Sequence, residues 1–491
     1  MAQDGMLTTR RDLLQQAGRV LAAAALSPGF GAASQVAIPG LADEPISPVM
    51  AKLSTYMSEA RSRALPGDVV EKAKQHIVDT FAAMVSGSQL LPGKAAIQFA
   101  RVYGGEKIAT VVGSNILCGP IEAALANGVL AHSDETDDHL GAAVVPAALA
   151  VGEQFGIDGT WFLRAVVLGC DISTRIGNAF PPEAIFRVKD HKDSGSIAQS
   201  FGAMTAAGCA ASLNAQQMRW ALDYTTQQSS GINAWERDTQ HIEKGFVFAG
   251  MPARNGVTAA LVVQSGWTGV DDIFSGADNF FLAFNPECDP AVLTDKLGER
   301  YDVVPATIKK WTTGTPIQAP LDAMEILQKR HPFEADQVQQ VIVRLAPNKA
   351  VIVDNRVLPD INLQYMIAVM LIDKTASFRS AHDYARMQDP AILRERAKVK
   401  LVPDESLVPL LPKEAAIVEV TLADGTHLSE QVVAVRGRAD NPMTRDEVIA
   451  KASDLMAPVL GNEKCATLIK NVFALENAKD IRELRPLLQR S

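Results

Sequence analysis

The chain predicts a mainly α protein, with a large all-helical domain formed by both ends of the chain and a smaller α+β domain between them. Three observations predict it. From Ile46 to about Leu297, apolar residues recur at spacings of three and four almost without a break. After about Gly298, β-branched and alternating stretches enter. Beyond Asn441-Pro442 the helical pattern returns with the composition of the first part. The expected segments are 1–40 as a leader, 46–298 as helical, 299–438 as α+β and 439–491 as the helical return.

The elements follow in order. Asp68 reads as an N-cap, and behind it Val70, Ala73, Ile77, Phe81 and Met84 form one apolar face. Lys94 to Tyr103 and Pro120 to Leu130 repeat the pattern, with Gly and Pro marking the turns. Pro146 to Gln154, Trp161 to Ile176, Ser196 to Leu213 and Ala215 to Gln228 are further helices rich in Ala and Gly. Small residues let helices approach closely, so little room for sheet is expected here. Val338 to Leu345 reads as a strand, and Ile417 to Leu422 with His427 to Val435 as a hairpin turning at Asp424-Gly425. Helices are expected at Ala319 to Arg330 and Gln364 to Ile372. Thr444-Arg445-Asp446-Glu447 is a capping box opening a final helix, and another follows from Glu463.

Composition narrows the function. The chain has 491 residues, 47% hydrophobic and 21% charged, which is ordinary for a globular protein with a large core. A net charge of -9 argues against general binding to nucleic acid or anionic membrane. A small anionic substrate would need a local cationic pocket. The five cysteines (Cys118, Cys170, Cys209, Cys288, Cys465) are scattered without a CxxC pair, so neither a disulfide framework nor a zinc site is expected. At the N-terminus, Arg10-Arg11 precedes a short apolar run from Ala17 to Leu26 and small residues around Ala32-Ala33-Ser34. That order resembles a twin-arginine export signal and implies a periplasmic or otherwise exported protein; if the leader does not function, the protein is cytoplasmic. The alternative is a basic N-terminal extension.

The densest chemistry lies at Asn127 to His139, where His132, Asp134, Glu135, Asp137, Asp138 and His139 follow an apolar helix. Crowded carboxylates raise one another's pKa, which suits proton transfer near neutral pH. The plainer reading is a solvated acidic loop. Asp134, Asp137, Asp138, His132 and His139 can also supply metal ligands, although the paired spacing of a helical metal site is not clear.

Ala126-Asn127-Gly128 … Ala131-His132 … Asp137-Asp138 resembles the MmgE/PrpD family, which includes 2-methylcitrate dehydratases and cis-aconitate decarboxylases. Ile77-Val78-Asp79-Thr80, Phe201-Gly202, Gln228-Ser229-Ser230-Gly231, Gly250 to Gly256, Gly266-Trp267-Thr268-Gly269 and Asn441-Pro442-Met443 extend the likeness over about 46 to 490. The resemblance implies that the smaller domain is a lid, that the protein is a homodimer, and that no metal or organic cofactor takes part. Within the family frame Asp137 and Asp138 match directly, Glu135 takes the place of the first acid, and His139 stands where threonine is usual. The usual His-Pro after this loop is absent. His191 is the candidate for the histidine before the Phe-Gly helix, and Lys244, in His241-Ile242-Glu243-Lys244, for the family lysine. The lid's Cys-x-x-x-His is replaced by Thr315-Pro316-Ile317-Gln318-Ala319-Pro320, so Gln318 stands in the region of a catalytic imidazole. Glutamine binds or orients but does not transfer protons.

These matches point to a cofactor-independent lyase or isomerase acting on a small polycarboxylate by proton abstraction next to a carboxylate. The catalytic candidates are Glu135, Asp137, Asp138, His139, His191 and Lys244; the substrate-binding candidates are Arg254, Gln318 and His241. Dehydration in the manner of 2-methylcitrate dehydratase is the first expectation, and decarboxylation is disfavoured by the missing histidines. The alternatives are an epimerase of a dicarboxylate and an exported carboxylate-binding protein without catalysis. For each candidate a plain role competes. His191 lies among Arg187, Lys189, Asp190, Lys192 and Asp193 as in a solvated loop, Lys244 can pair with Glu243, and Arg254 can cap a helix. His76 and His132 read as helix-packing residues.

Overall fold

The computed structural model describes residues 46–134, 140–181, 184 and 191–490. Among them the protein is mainly α-helical with two small sheets. The first helices are α1 (Pro48–Glu59), α2 (Gly67–Gly87) and α3 (Leu91–Tyr103). The apolar face expected on α2 is buried at Ala73, Ile77, Phe81 and Met84. Its N-cap is Pro66 rather than Asp68, which sits in the first turn. There a carboxylate still favours the helix by facing the positive end of its dipole. His76 on α2 is buried, and burial pushes it down to about 4.

A two-residue pair, β1 (Ala109–Thr110) with β2 (Leu117–Cys118), leads into α4 (Pro120–His132). Next come α5 (Leu140–Phe155), α6 (Gly159–Ala179), α7 (Ser194–Ala210) and α8 (Ala215–Gln228). Helix α5 begins before Pro146 and runs through it, where the sequence reads a helix starting at that proline. An internal proline removes one backbone hydrogen bond and costs ~3 kcal/mol. Every residue from Gly141 to Glu153 is buried, and that packing outweighs the loss. Helices α6 and α7 touch through glycine: a Cβ on Gly202 would lie 2.7 Å from the Gly169 carbonyl oxygen. Helix α9 (Ile242–Gln264) is long and apolar enough to cross a membrane, but most of it is buried inside this fold. Its stretch Phe246–Gly250 is π-wound.

The later elements are α10 (Thr315–Arg330), β3 (Val338–Leu345), α11 (Pro347–Val353), α12 (Leu363–Asp373), β4 (Val399–Pro403), β5 (Ala416–Leu422) and β6 (His427–Val432). The sheet order is β4-β3-β5-β6, with β3 and β4 parallel and the other pairs antiparallel. The β5–β6 hairpin turns at Asp424-Gly425, where Gly425 has φ 88. Strand β4 has no counterpart in the sequence reading. It is a five-residue edge strand ending in Pro403, and a proline, lacking an N–H, is tolerated at such an edge. The chain closes with α15 (Arg445–Leu460), opened by the Thr444/Glu447 capping box, and α16 (Asn462–Phe473), with α13 (Phe378–Ala381) and α14 (Pro390–Arg396) as short helices before β4.

Two main hydrophobic clusters result. One gathers residues from Met50 to Ile308 and again from Met443 to Leu488. The other gathers residues from Trp311 to Val435. All five cysteines are buried and none forms a disulfide, and burial pushes Cys118 and Cys209 up to about 12, which keeps them as inert thiols.

Candidate functional site

The site is set by one close backbone contact. Gly128 on α4 presses against the π-wound turn of α9, and a Cβ there would lie 2.6 Å from the Ala249 carbonyl oxygen. A π-turn widens the helix and is often found at functional positions. This contact brings the last turn of α4 over Phe248, so the His132 ring stacks on it with centroids 5.2 Å apart. Trp235 meets the same phenyl ring edge-on at 4.7 Å.

Asp134, just past α4, is buried; its Oδ2 accepts from Ser86 Oγ at 2.8 Å. Its Oδ1 lies 3.6 Å from His382 Nε2. The other ring nitrogen, Nδ1, is 2.9 Å from the Phe378 carbonyl oxygen, and since a carbonyl only accepts, Nδ1–H donates. Nε2 is thereby left facing the carboxylate. The four acidic-loop candidates Glu135, Asp137, Asp138 and His139 lie outside the described residues.

At the start of α9, His241 is left-handed with φ 58, and Asp238 accepts from the backbone N–H groups of Gln240, Glu243 and Lys244 at 2.9, 2.7 and 3.2 Å. That carboxylate is thus committed to ending the helix. Lys244 Nζ stands 5.9 Å from the Trp235 ring centroid, at cation–π range. His241, Lys244, Trp235 and Phe248 all open onto a cleft of about 670 Å³. The second wall comes from in and around the segment that carries the other hydrophobic cluster: Lys349, Val351, Ile352, Arg356, Glu414 and Arg438. Glu414 is 2.8 Å from Lys349 and 3.9 Å from Arg438. The cleft therefore collects Lys244, Lys349, Arg356 and Arg438 against the carboxylates Glu236, Asp238 and Glu414, Asp238 being held by backbone N–H groups and Glu414 by two of these same cations, Lys349 and Arg438. An anion entering it meets an excess of cations in a chain of net charge -9.

Of the sequence candidates, the structure brings Lys244 and His241 together in this cleft. Three others are placed elsewhere. Gln318 is 2% exposed; its amide donates to the Trp311 and Thr313 carbonyl oxygens at 2.8 and 2.9 Å and its oxygen accepts from Trp311 N–H at 3.2 Å. It ties the loop before α10 and has no donor left for a ligand. Arg254 gives Nε and Nη2 to Oδ1 of its neighbour Asn255 on α9 and does not line the cleft. His191 is exposed with φ 62, two residues before Asp193, the N-cap of α7. Asp193 is fully buried, and burial pushes its carboxyl up to about 6 although the Ser196 N–H donates to it.

Sequence reasoning missed Lys349, Arg356, Arg438, Trp235 and His382. A basic pair after the hairpin, Arg436-Gly437-Arg438, is the one local signal for any of them. Among the described residues no three of His, Cys, Asp and Glu converge on a point where a metal ion would sit.

Comparison with known proteins follows the same outline. The MmgE/PrpD N-terminal domain matches residues 51–292, and the MmgE/PrpD C-terminal domain matches 311–475. The cis-aconitate decarboxylase-like protein oryM of Aspergillus oryzae is 24% identical over 476 residues, covering 90% of this chain and 97% of its own. A cis-aconitate decarboxylase of Aspergillus terreus is 23% identical over 487 residues, with 90% and 96% covered. The cis-aconitate decarboxylase of Homo sapiens is 24% identical over 450 residues, with 86% and 90% covered.

Proposed function

Because the chain belongs to the MmgE/PrpD family, we propose that it is a cofactor-independent lyase acting on a small polycarboxylate, with loss of water from a citrate-like hydroxy acid as its reaction. The observation that carries this reading is the cleft between Lys244 on one wall and Lys349 and Arg438 on the other. Cations spaced around such a cleft can grip two or three carboxylates at once and leave the carbon between them exposed to a base. Lys244 and Arg438 hold carboxylates, Arg438 with a planar fork suited to a bidentate grip. A base from the acidic stretch Glu135, Asp137 and Asp138 removes the proton next to a carboxylate. The electron pair closes the double bond, and the hydroxyl leaves with a proton as water. His139 is the proton relay in this reading. The carbanion-like charge that develops on the carboxylate is stabilised by the cations already in place.

The finer arrangement belongs to the same reading. The cluster from Trp311 to Val435 acts as an α+β lid on a helical domain made from both ends of the chain. The protein works as a homodimer exported by its twin-arginine-type leader, which cell fractionation with and without Arg10-Arg11→Lys-Lys tests.

A second reading, loss of carbon dioxide from an aconitate-like acid, is favoured by the three relatives above, all described as cis-aconitate decarboxylases or like them. One experiment separates the two. The protein lacking its leader is incubated in heavy water with citrate-like and aconitate-like acids and followed by NMR. An alkene formed from the hydroxy acid supports dehydration, and deuterium beside a carboxylate with carbon dioxide release supports decarboxylation. Deuterium without either product points to an epimerase. No exchange with any acid, while one of them raises the melting temperature, leaves a binding protein and overturns the lyase reading.

A further inference from the structure

The cleft has a face that a citrate-like acid does not need. Val351 and Ile352, neighbours on α11, are 68% and 45% exposed and open onto it beside Lys349 and Arg356. Ile361, Pro412, Trp235 and Phe248 continue the apolar lining. Two consecutive β-branched residues left in water cost stability unless something covers them. Their position on a cation-lined wall says what that is: a molecule with carboxylates at one end and hydrocarbon at the other. The volume agrees. About 670 Å³ falls among sites that enclose drug-sized ligands (roughly 300–1,000 Å³), well beyond what an unsubstituted tricarboxylate fills.

We infer that the substrate of this cleft is a polycarboxylate carrying an alkyl chain longer than methyl, its carboxylates held by Lys244, Lys349 and Arg438 and its chain lying on Val351 and Ile352. The inference rests on the lyase reading of the same cleft for the word substrate, but its binding half stands apart from turnover. Each methylene laid on the apolar face gains about fourfold in affinity, the value of one buried CH₂.

The test is calorimetric titration of the full protein with unreactive 2-alkylsuccinates from methyl to octyl. It is repeated on the Val351→Ser/Ile352→Ser double variant, with light scattering of both proteins. The expected result is a Kd falling about fourfold per methylene over the first several carbons. In the double variant that slope is lost, while the methylsuccinate Kd is unchanged. A flat series in the unaltered protein overturns the inference. So does a flat series with a smaller particle mass in the double variant, which assigns the apolar face to contact with a second copy. Deuterium exchange on the unsubstituted acid is run beside it, so that a failed chain-length series and a failed lyase reading are told apart.

Discussion

On one wall of the cleft, Lys244 rises from a helix whose π-wound turn presses directly on Gly128; on the other, Lys349 on a short helix and Arg438 in a turn stand half-buried and share Glu414. The first wall is held by backbone against backbone, with Asp238 closing the helix end and two aromatic rings wedged behind the lysine. The second is held by side-chain ion pairs that share the buried Glu414 carboxylate, with the cationic ends of Lys349 and Arg438 partly exposed. A wall fixed by its backbone can hold a group to the geometry that a transition state needs. A wall fixed by side-chain ion pairs can accommodate ligands of different length. The difference assigns chemistry to the first and selection to the second.

The sharpest way to break that division is to remove one lysine from each wall. Lys244→Ala is expected to lower kcat/KM by about 10²–10³-fold, mostly in kcat. Lys349→Ala is expected to raise KM about tenfold, a loss of ~1.4 kcal/mol, with kcat nearly kept. Steady-state kinetics on the substrate identified by NMR decides it, and equal effects on kcat from both variants would erase the distinction.

The next effect is on stability. Gly128→Ala places a methyl group 2.6 Å from the Ala249 carbonyl oxygen, where only backbone can yield. It is expected to destabilise by ~3 kcal/mol in denaturant unfolding. Gly67→Ala, where nothing lies within 4 Å, serves as the control and should cost nothing. Equal midpoints for the two variants would show that the contact does not fix the first wall.

The smallest effect concerns Asp193, the N-cap of α7. Burial raises its folded pKa to about 6 from the ordinary carboxylate value of about 3.8, so the stability it contributes is present below about 4 and lost as pH rises through about 6. Asp193→Asn keeps the cap, since Asn and Asp cap equally well, and removes the titration. The unfolding free energy of the unaltered protein minus that of the variant should therefore fall by up to ~3 kcal/mol between pH 4 and 6 and stay level above it. A difference that stays constant with pH would show that Asp193 is not held in a desolvated site.

Much of the secondary structure was legible from short-range pattern alone. The α8 helix and β3 strand match their expected bounds, and the Thr444/Glu447 capping box opens α15 as read. Pattern failed where packing overrode a local rule. Pro146 reads as the start of a helix and lies inside α5, and α10 starts at Thr315 rather than at Ala319. Of the site candidates, Lys244 and His241 line the cleft, whereas Gln318 and Arg254 do not. Both have the right chemistry for a carboxylate, and both spend it on neighbours: Trp311 and Thr313 in one case, Asn255 in the other. His382 was not legible at all, because its partner Asp134 lies far away in the chain and no motif joins them.

By itself, then, the sequence determined the mainly helical class, most helix and strand positions and membership of the MmgE/PrpD family. These rest on backbone hydrogen bonding and side-chain spacing within a few residues, which any window of the chain carries. The tertiary structure alone decided which charges meet in the cleft, that Asp238 and Glu414 are already partnered, and that Val351 and Ile352 stand open beside the cations. A lysine becomes a ligand for substrate or half of an ion pair according to what packs opposite it. In this protein that neighbour is distant in the sequence, as Glu414 is from Lys349.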